Sequence, residues 1–267
     1  MATQSKQAWR WNLPVWILLL GLLLPGAALG ATGPPGAEEH ARTGAIGSIG
    51  AGGGTGPSDG MPIGCTSSPG RTVSGGSGSG RKVALTFDDG PKRVQTTAIL
   101  ETLERLHAVA TFFEEGRHVS GHKALMREIL AAGNEIGNHS YDHPKYPDRR
   151  ELSSTNRLIH AATGFEPCLF RPPYGLIDGA VEAAAAQNRL ETVLWSIDPG
   201  DDRHLDARAI QAHAVHRARP GSIIVMHDGG HHPQTAKALP GIIRGLQARH
   251  LRLVTVTDLL GGHFRYR

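Results

Sequence analysis

The chain is poor in cysteine, in aromatic residues and in blocks of like charge. Only Cys65 and Cys168 occur among its 267 residues, so at most one internal disulfide can form and a fold stapled by several bridges is excluded. Aromatic residues make up 5% and the formal net charge is +4. No basic block and no aromatic interleaving accompany that charge, so a nucleic-acid interface lacks its usual parts. Without Lys6 and Arg10 the charge falls to +2, a mildly basic balance that leaves only electrostatic attraction to acidic wall polymers in view.

Long apolar runs are missing too. The one candidate, Leu13 to Leu24, is short for a bilayer span of roughly 20 residues. It follows Lys6 and Arg10 and precedes Pro25-Gly26-Ala27-Ala28-Leu29-Gly30-Ala31, small residues at cleavage spacing, the pattern of a secretory signal. Residues 1–30 are therefore expected to be a signal peptide cut near Gly30, leaving a secreted or wall-associated protein. An uncleaved anchor with Trp11 and Trp16 at the interface is the alternative. No cysteine follows the run, so a lipoprotein-type anchor is not suggested.

Residues 31–80 are Gly, Ser, Pro and Thr with few large apolar side chains. Such a stretch cannot bury enough surface to offset its ordering entropy, and a disordered spacer is expected. Cys65 within it either bonds to Cys168, pinning the distal spacer to the fold, or stays a free thiol while Cys168 is a small buried residue.

The remainder, residues 81–267, is patterned. Short apolar runs end in polar side chains: Val83 to Phe87 in Asp88-Asp89, Asn134 to Asn138 in His139, Cys168 to Phe170 in Arg171, Thr192 to Ile197 in Asp198-Pro199-Gly200-Asp201-Asp202, and Ser222 to Met226 in His227. Helical periodicity lies between most of them. Alternating strands and helices predict an α/β domain of about seven parallel strands, open or closed into a barrel, with the site at the strands' carboxyl ends. The helices are predicted over Thr96–Leu106, Ala124–Ala132, Arg150–Ala162, Ile177–Gln187, Asp206–Arg217 and Thr235–Arg249.

His139 and His143 stand four apart, a spacing that suits one metal on one face of a helical turn. A carboxylate from Asp88 or Asp89 would complete a His, His, carboxylate set with an open position, the arrangement of a catalytic zinc site. Two adjacent aspartates allow one to bind the metal while the other takes a proton, although Asp-Asp-Gly-Pro is also good turn chemistry.

Thr86-Phe87-Asp88-Asp89-Gly90-Pro91, His139 to His143, Arg171-Pro172-Pro173-Tyr174-Gly175 and Val225-Met226-His227-Asp228 together resemble the polysaccharide deacetylases, carbohydrate esterase family four, with the NodB-homology domain. The resemblance covers nearly all of residues 81–267 and implies a distorted (β/α) barrel. It implies Asp88 as general base and Asp89, His139 and His143 as ligands of a divalent metal, zinc, cobalt or nickel. It further implies Arg171 as the partner of the base, the Tyr174 backbone N–H as an oxyanion donor, His227 as the acid that protonates the departing amine, and Asp201 as its orienting carboxylate. Asp202 departs from the pattern, standing where many relatives carry tryptophan. Glu114 and Glu115 follow Phe113 where relatives are usually apolar, which points to a wetter strand end or to sugar contacts. His231 and His232 read as a solvated loop.

The implied activity is removal of N-acetyl groups from N-acetylglucosamine units of a β-linked glycan, with peptidoglycan as the leading substrate and no stable protein partner. Chitooligosaccharide deacetylation, acetylxylan hydrolysis and a non-catalytic glycan-binding homologue are the alternatives. A secreted metal-binding protein would leave Arg171 and the aspartate pair unexplained.

Overall fold

The computed structural model describes residues 60–203 and 205–266. The expected signal peptide, residues 1–30, and the expected spacer up to residue 59 lie outside them. In chain order the strands and helices are β1 (Pro62–Cys65), β2 (Thr72–Val73), β3 (Lys82–Gly90), α1 (Arg93–Arg105), β4 (Thr111–Glu114), α2 (Gly116–Val119), α3 (Lys123–Ala131), β5 (Glu135–Asn138) and α4 (Arg149–Thr163). They continue as β6 (Leu169–Phe170), α5 (Gly179–Gln187), β7 (Glu191–Val193), α6 (Ala207–Arg217), β8 (Ile223–His227), α7 (Pro233–Ala248), β9 (Arg252–Leu253), α8 (Val256–Leu259) and β10 (Phe264–Tyr266). The six helices predicted from periodicity are α1 and α3 to α7. Helices α4, α5 and α6 each begin at an aspartate, Asp148, Asp178 and Asp206, whose side chain accepts from an N–H of the first turn, satisfying donors that the helix leaves open.

The main sheet runs β2-β7-β6-β5-β4-β3-β8, with β9 pairing β3 off that path. All these pairs are parallel. Strand β3 is paired on both sides, with β4 and β8, and buried along Val83 to Asp88, which is why it reads as an unbroken apolar run rather than an alternation. The predicted strand Thr192 to Ile197 divides its work. Its first half is β7, while Ile197 bridges to Ile224 of β8, with Val225 N–H donating to the Ile197 carbonyl at 3.0 Å. A second bridge, from Gly75 just past β2 to Ser222 just before β8, joins the two ends of the strand order, and together they make the sheet a distorted barrel, as the family resemblance implied.

The sequence expectation fails at the amino-terminal boundary. The spacer was expected to reach Gly80, but β1 pairs antiparallel with β10 and β2 pairs with β7. Arg71 forms an ion pair of 2.6 Å with the buried Glu191. The glycines that suggested flexibility serve close approach instead. A Cβ on Gly75 would meet the Gly221 carbonyl at 2.9 Å, and one on Gly76 the Leu259 carbonyl at 2.8 Å, so backbone packs directly on backbone.

Cys65 and Cys168 form a disulfide across 103 residues of sequence, deciding between the two readings of the pair. Thiol titration of the unfolded, unreduced protein should find no free thiol. Replacing both cysteines by alanine should lower stability by about 2–4 kcal/mol, seen as a lower denaturant midpoint with a higher m-value as the unfolded chain loses its cross-link.

Candidate active site

Parallel register assembles the site. Asp88 of β3 is the direct partner of His227 of β8. Glu114 pairs with Asn138, so His139 emerges one residue beyond the end of β5, level with the end of β4, and Asn138 pairs with Phe170, so Arg171 emerges beside it. Residues separated by up to 139 positions thus share one edge of the barrel, the place where strand carboxyl ends open a cleft.

The backbone bends sharply at this edge. Asp89 (φ 74°), Ser140 (φ 66°), His143 (φ 59°) and Tyr174 (φ 59°) are all left-handed without being glycine, a concentration of costly conformations of the kind found at working sites. One correction follows: His139 to His143 is not a helical turn. The two imidazoles meet because the chain doubles back through two left-handed residues, with ring centroids 5.0 Å apart.

Asp88 is buried, and its Oδ1 accepts from Arg171 Nη1 at 2.7 Å. The guanidinium is fully buried and held on every side. Nη1 also donates to Thr86 Oγ1 at 2.7 Å, Nε to the Val193 carbonyl at 3.1 Å and Nη2 to the Leu194 carbonyl at 3.2 Å. Its carbon sits 4.1 Å over the Phe113 ring. Asp89 points the other way, and this separation of neighbouring carboxylates follows from its left-handed backbone.

Asp89 Oδ1 lies 3.2 Å from His139 Nε2 and 3.4 Å from His143 Nε2. These three ligand atoms form a cluster suited to a metal ion. His139 Nδ1 contacts the Arg171 carbonyl at 2.8 Å. A carbonyl only accepts, so Nδ1 carries a proton and Nε2 is the ring atom turned to Asp89. Asp89 Oδ1 is buried with no hydrogen-bond partner. Two imidazole nitrogens converging on one carboxylate oxygen make a set that a cation would hold together, so the residues present fit a divalent metal. Burial works to raise the Asp89 pKa, but the hydrogen bond and charge of His139, with His227 and His143, overcome it and hold the carboxyl far below its ordinary range.

Opposite Asp88, His227 Nδ1 contacts Asp201 Oδ1 at 3.0 Å, while Asp201 Oδ2 accepts from the His227 N–H at 2.9 Å and Thr235 Oγ1 at 2.6 Å. Both carboxylate oxygens are occupied, so the imidazole is fixed with Nε2 to the cleft. Burial would lower the His227 pKa, but the hydrogen bond and charge of Asp201, aided by Asp88 and Asp89, push it up to about 9. The ring therefore holds its proton through neutrality and loses it as pH rises through about 9. For Asp201→Asn the alkaline limb of the pH–rate profile should move down toward 6.5, the ordinary histidine value; an unmoved limb would separate Asp201 from the titration of His227.

Tyr174 occupies the tight turn Pro173–Gly175, its ring edge-on to His143 at 4.6 Å and largely exposed. Asp202 is exposed and lies 3.6 Å from Arg203 Nε. Glu114 and Glu115, read as a wet strand end, are buried. Burial, with the charges of Asp228, Glu115, Asp88 and Asp89, raises Glu114 well above the usual carboxylate range, and Asp228 is pushed up to about 7, chiefly by burial. Gly90 makes room for both, since a Cβ there would overlap Asp228 Oδ2 and Glu114 Oε2. Thr86 and Asp228 stand inside the motifs quoted above, which assign them no role, and Phe113 and Thr235 support the site without a signal of their own in the sequence. His231 is exposed as read, whereas His232 lies against His227 with ring centroids 5.2 Å apart.

Residues 75–193 match the family model described as polysaccharide deacetylase. A peptidoglycan-N-acetylglucosamine deacetylase of Bacillus cereus is 38% identical over 186 residues, covering 67% of this chain and 87% of its own. The crystal structure of a peptidoglycan N-acetylglucosamine deacetylase in complex with 4-naphthalen-1-yl-N-oxidanyl-benzamide superposes with a TM-score of 0.69 at 30% identity, covering 72% of this chain and 94% of that one. A family pseudoenzyme from Bacillus anthracis superposes at 0.67 and 30% identity, covering 72% and 69%.

Proposed function

This chain belongs to the polysaccharide deacetylase family, and from that premise we propose that it is an exported, metal-dependent hydrolase that removes acetyl groups from N-acetylglucosamine units of peptidoglycan. The observation that carries the reading is the pairing of Asp88 with His227 across β3 and β8, which sets a candidate base and a candidate acid on neighbouring strand ends beside a ready ligand set. Export is supported by the signal pattern of residues 1–30, and an extracellular setting suits the disulfide. The Gly- and Ser-rich stretch before β1 suits a spacer between a surface and the catalytic unit.

A divalent cation held by Asp89, His139 and His143 would polarise the acetyl carbonyl and acidify the attacking water. Asp88 takes the proton of that water, with Arg171 opposite it as counter-charge. The Tyr174 N–H donates to the acetyl oxygen as negative charge gathers there. His227 then delivers the Nε2 proton to the departing nitrogen, without which an amine is a poor leaving group. Asp201 keeps Nδ1 engaged throughout and stabilises the charged ring.

Acetate release by the full chain from peptidoglycan and from N-acetylglucosamine oligomers, with chelator and then zinc restored, tests the reading. Release abolished by chelator, recovered with zinc and fastest on peptidoglycan is the expected result. Faster release from the oligomers would move the assignment to a chitooligosaccharide deacetylase, and turnover of acetylxylan alone to an esterase. No release despite one bound metal per chain would make the protein a non-catalytic homologue.

A further inference from the structure

The mechanism uses one face of His227 and leaves unexplained the second imidazole beside it. His232 is tilted at 42° to His227 with 5.2 Å between ring centroids. The pair is fastened by one side chain: Gln95 Nε2 donates to the His227 carbonyl at 3.1 Å and to the His232 carbonyl at 3.0 Å. The loop also makes space for the ring, because a Cβ on Gly230 (φ +60°) would come within 2.9 Å of His232 Nε2. His232 precedes α7 but supplies no side-chain cap to it. His227 and His232 are both part-buried, whereas His231 is exposed.

We propose that His232 is the proton relay that recharges His227 from solvent between turnovers. This rests on the reading of His227 as the general acid. With Nδ1 occupied by Asp201, His227 both gives and regains its proton at Nε2. After that proton has gone to the leaving nitrogen and the amine product departs, the His232 imidazolium transfers one proton to His227 Nε2, directly or through one water, and becomes neutral. A proton from solvent or buffer then restores His232. No bond other than N–H forms or breaks, and the cycle consumes one solvent proton for each one delivered to the amine. An imidazole can carry and pass on a proton in the neutral pH range, and the Asp201 carboxylate on Nδ1 draws that proton to His227.

His232→Ala should lower kcat about tenfold at low buffer concentration, less than the ~10²-fold or greater loss of a direct general acid, with KM unchanged. Added imidazole should restore most of the rate. His232→Gln fills similar space and can hydrogen-bond but does not carry a proton at neutral pH, so its kcat should stay low. Wild-type kcat in the glutamine variant, a loss confined to KM, or an alanine variant indifferent to imidazole would each overturn the relay while wild-type acetate release leaves the deacetylase reading standing. Absence of acetate release from the wild type would overturn that reading and the relay with it.

Discussion

Asp88→Asn should keep its bound divalent cation and lose about 10²- to 10⁴-fold in kcat, the usual worth of a positioned general base. Asparagine preserves the shape of the side chain, and its oxygen can still accept the 2.7 Å bond from Arg171 Nη1, so the cleft should keep its form. What it cannot do is take a proton from water. The ligand cluster lies on the far side of the peptide, at Asp89, and is not touched by the change. Asp89→Asn should behave in the opposite way: it removes the anionic member of the set and should lower metal stoichiometry along with activity. Metal content measured beside kcat for both variants separates the roles. If Asp88→Asn lost the metal and Asp89→Asn kept it, the assignment of the two aspartates would be reversed.

The site was legible in the sequence to the extent that chemistry follows strand ends. Asp88, His139, Arg171 and His227 each stand at or just beyond the carboxyl end of an apolar run, and parallel pairing along β8-β3-β4-β5-β6 brings them together. What holds them was not legible. Thr86 links Arg171 to β8 by donating to the Ile224 carbonyl at 2.9 Å, and nothing about a threonine inside an apolar strand announces that task. The spacing of His139 and His143 identified the right pair for the wrong geometric reason, since the left-handed Ser140 and His143 replace the helical turn. The early boundary error has a similar origin. Composition records that residues 61–80 are rich in Gly and Ser, but it cannot distinguish a glycine kept for flexibility from Gly75 and Gly76, which allow backbone to touch backbone. Nor could the strand-end pattern reveal Glu114 as buried, because that depends on Asp228 and Gly90 across two neighbouring strands.

Arg171→Met should be the most destabilising single change at the site, by about 3–5 kcal/mol, because it breaks a buried ion pair by removing one partner. Methionine fills much of the volume but offers no donor. Asp88 is left buried without its counter-charge, while the Thr86 hydroxyl and the carbonyls of Val193 and Leu194 lose their guanidinium donors. Each such unmade bond carries a desolvation cost of about 1–3 kcal/mol, reduced where water or relaxation supplies another partner. Arg171→Lys should recover only part of the loss, because one ammonium cannot reproduce a planar fork that reaches four acceptors on β3, β7 and the segment after β7. The double variant Asp88→Asn with Arg171→Met should be less destabilised than the sum of the single changes, since the neutral amide no longer leaves a buried charge unpaired. Denaturant midpoints for the four proteins give that coupling directly. A methionine variant within about 1 kcal/mol of wild type would place it among ordinary point substitutions and would show that the guanidinium orients the base without supporting the fold. A large loss with strong coupling would show that β3, β6 and β7 are fastened together by the same contact that arms the base, so the barrel could not be stabilised by an apolar residue at position 171 without disarming Asp88.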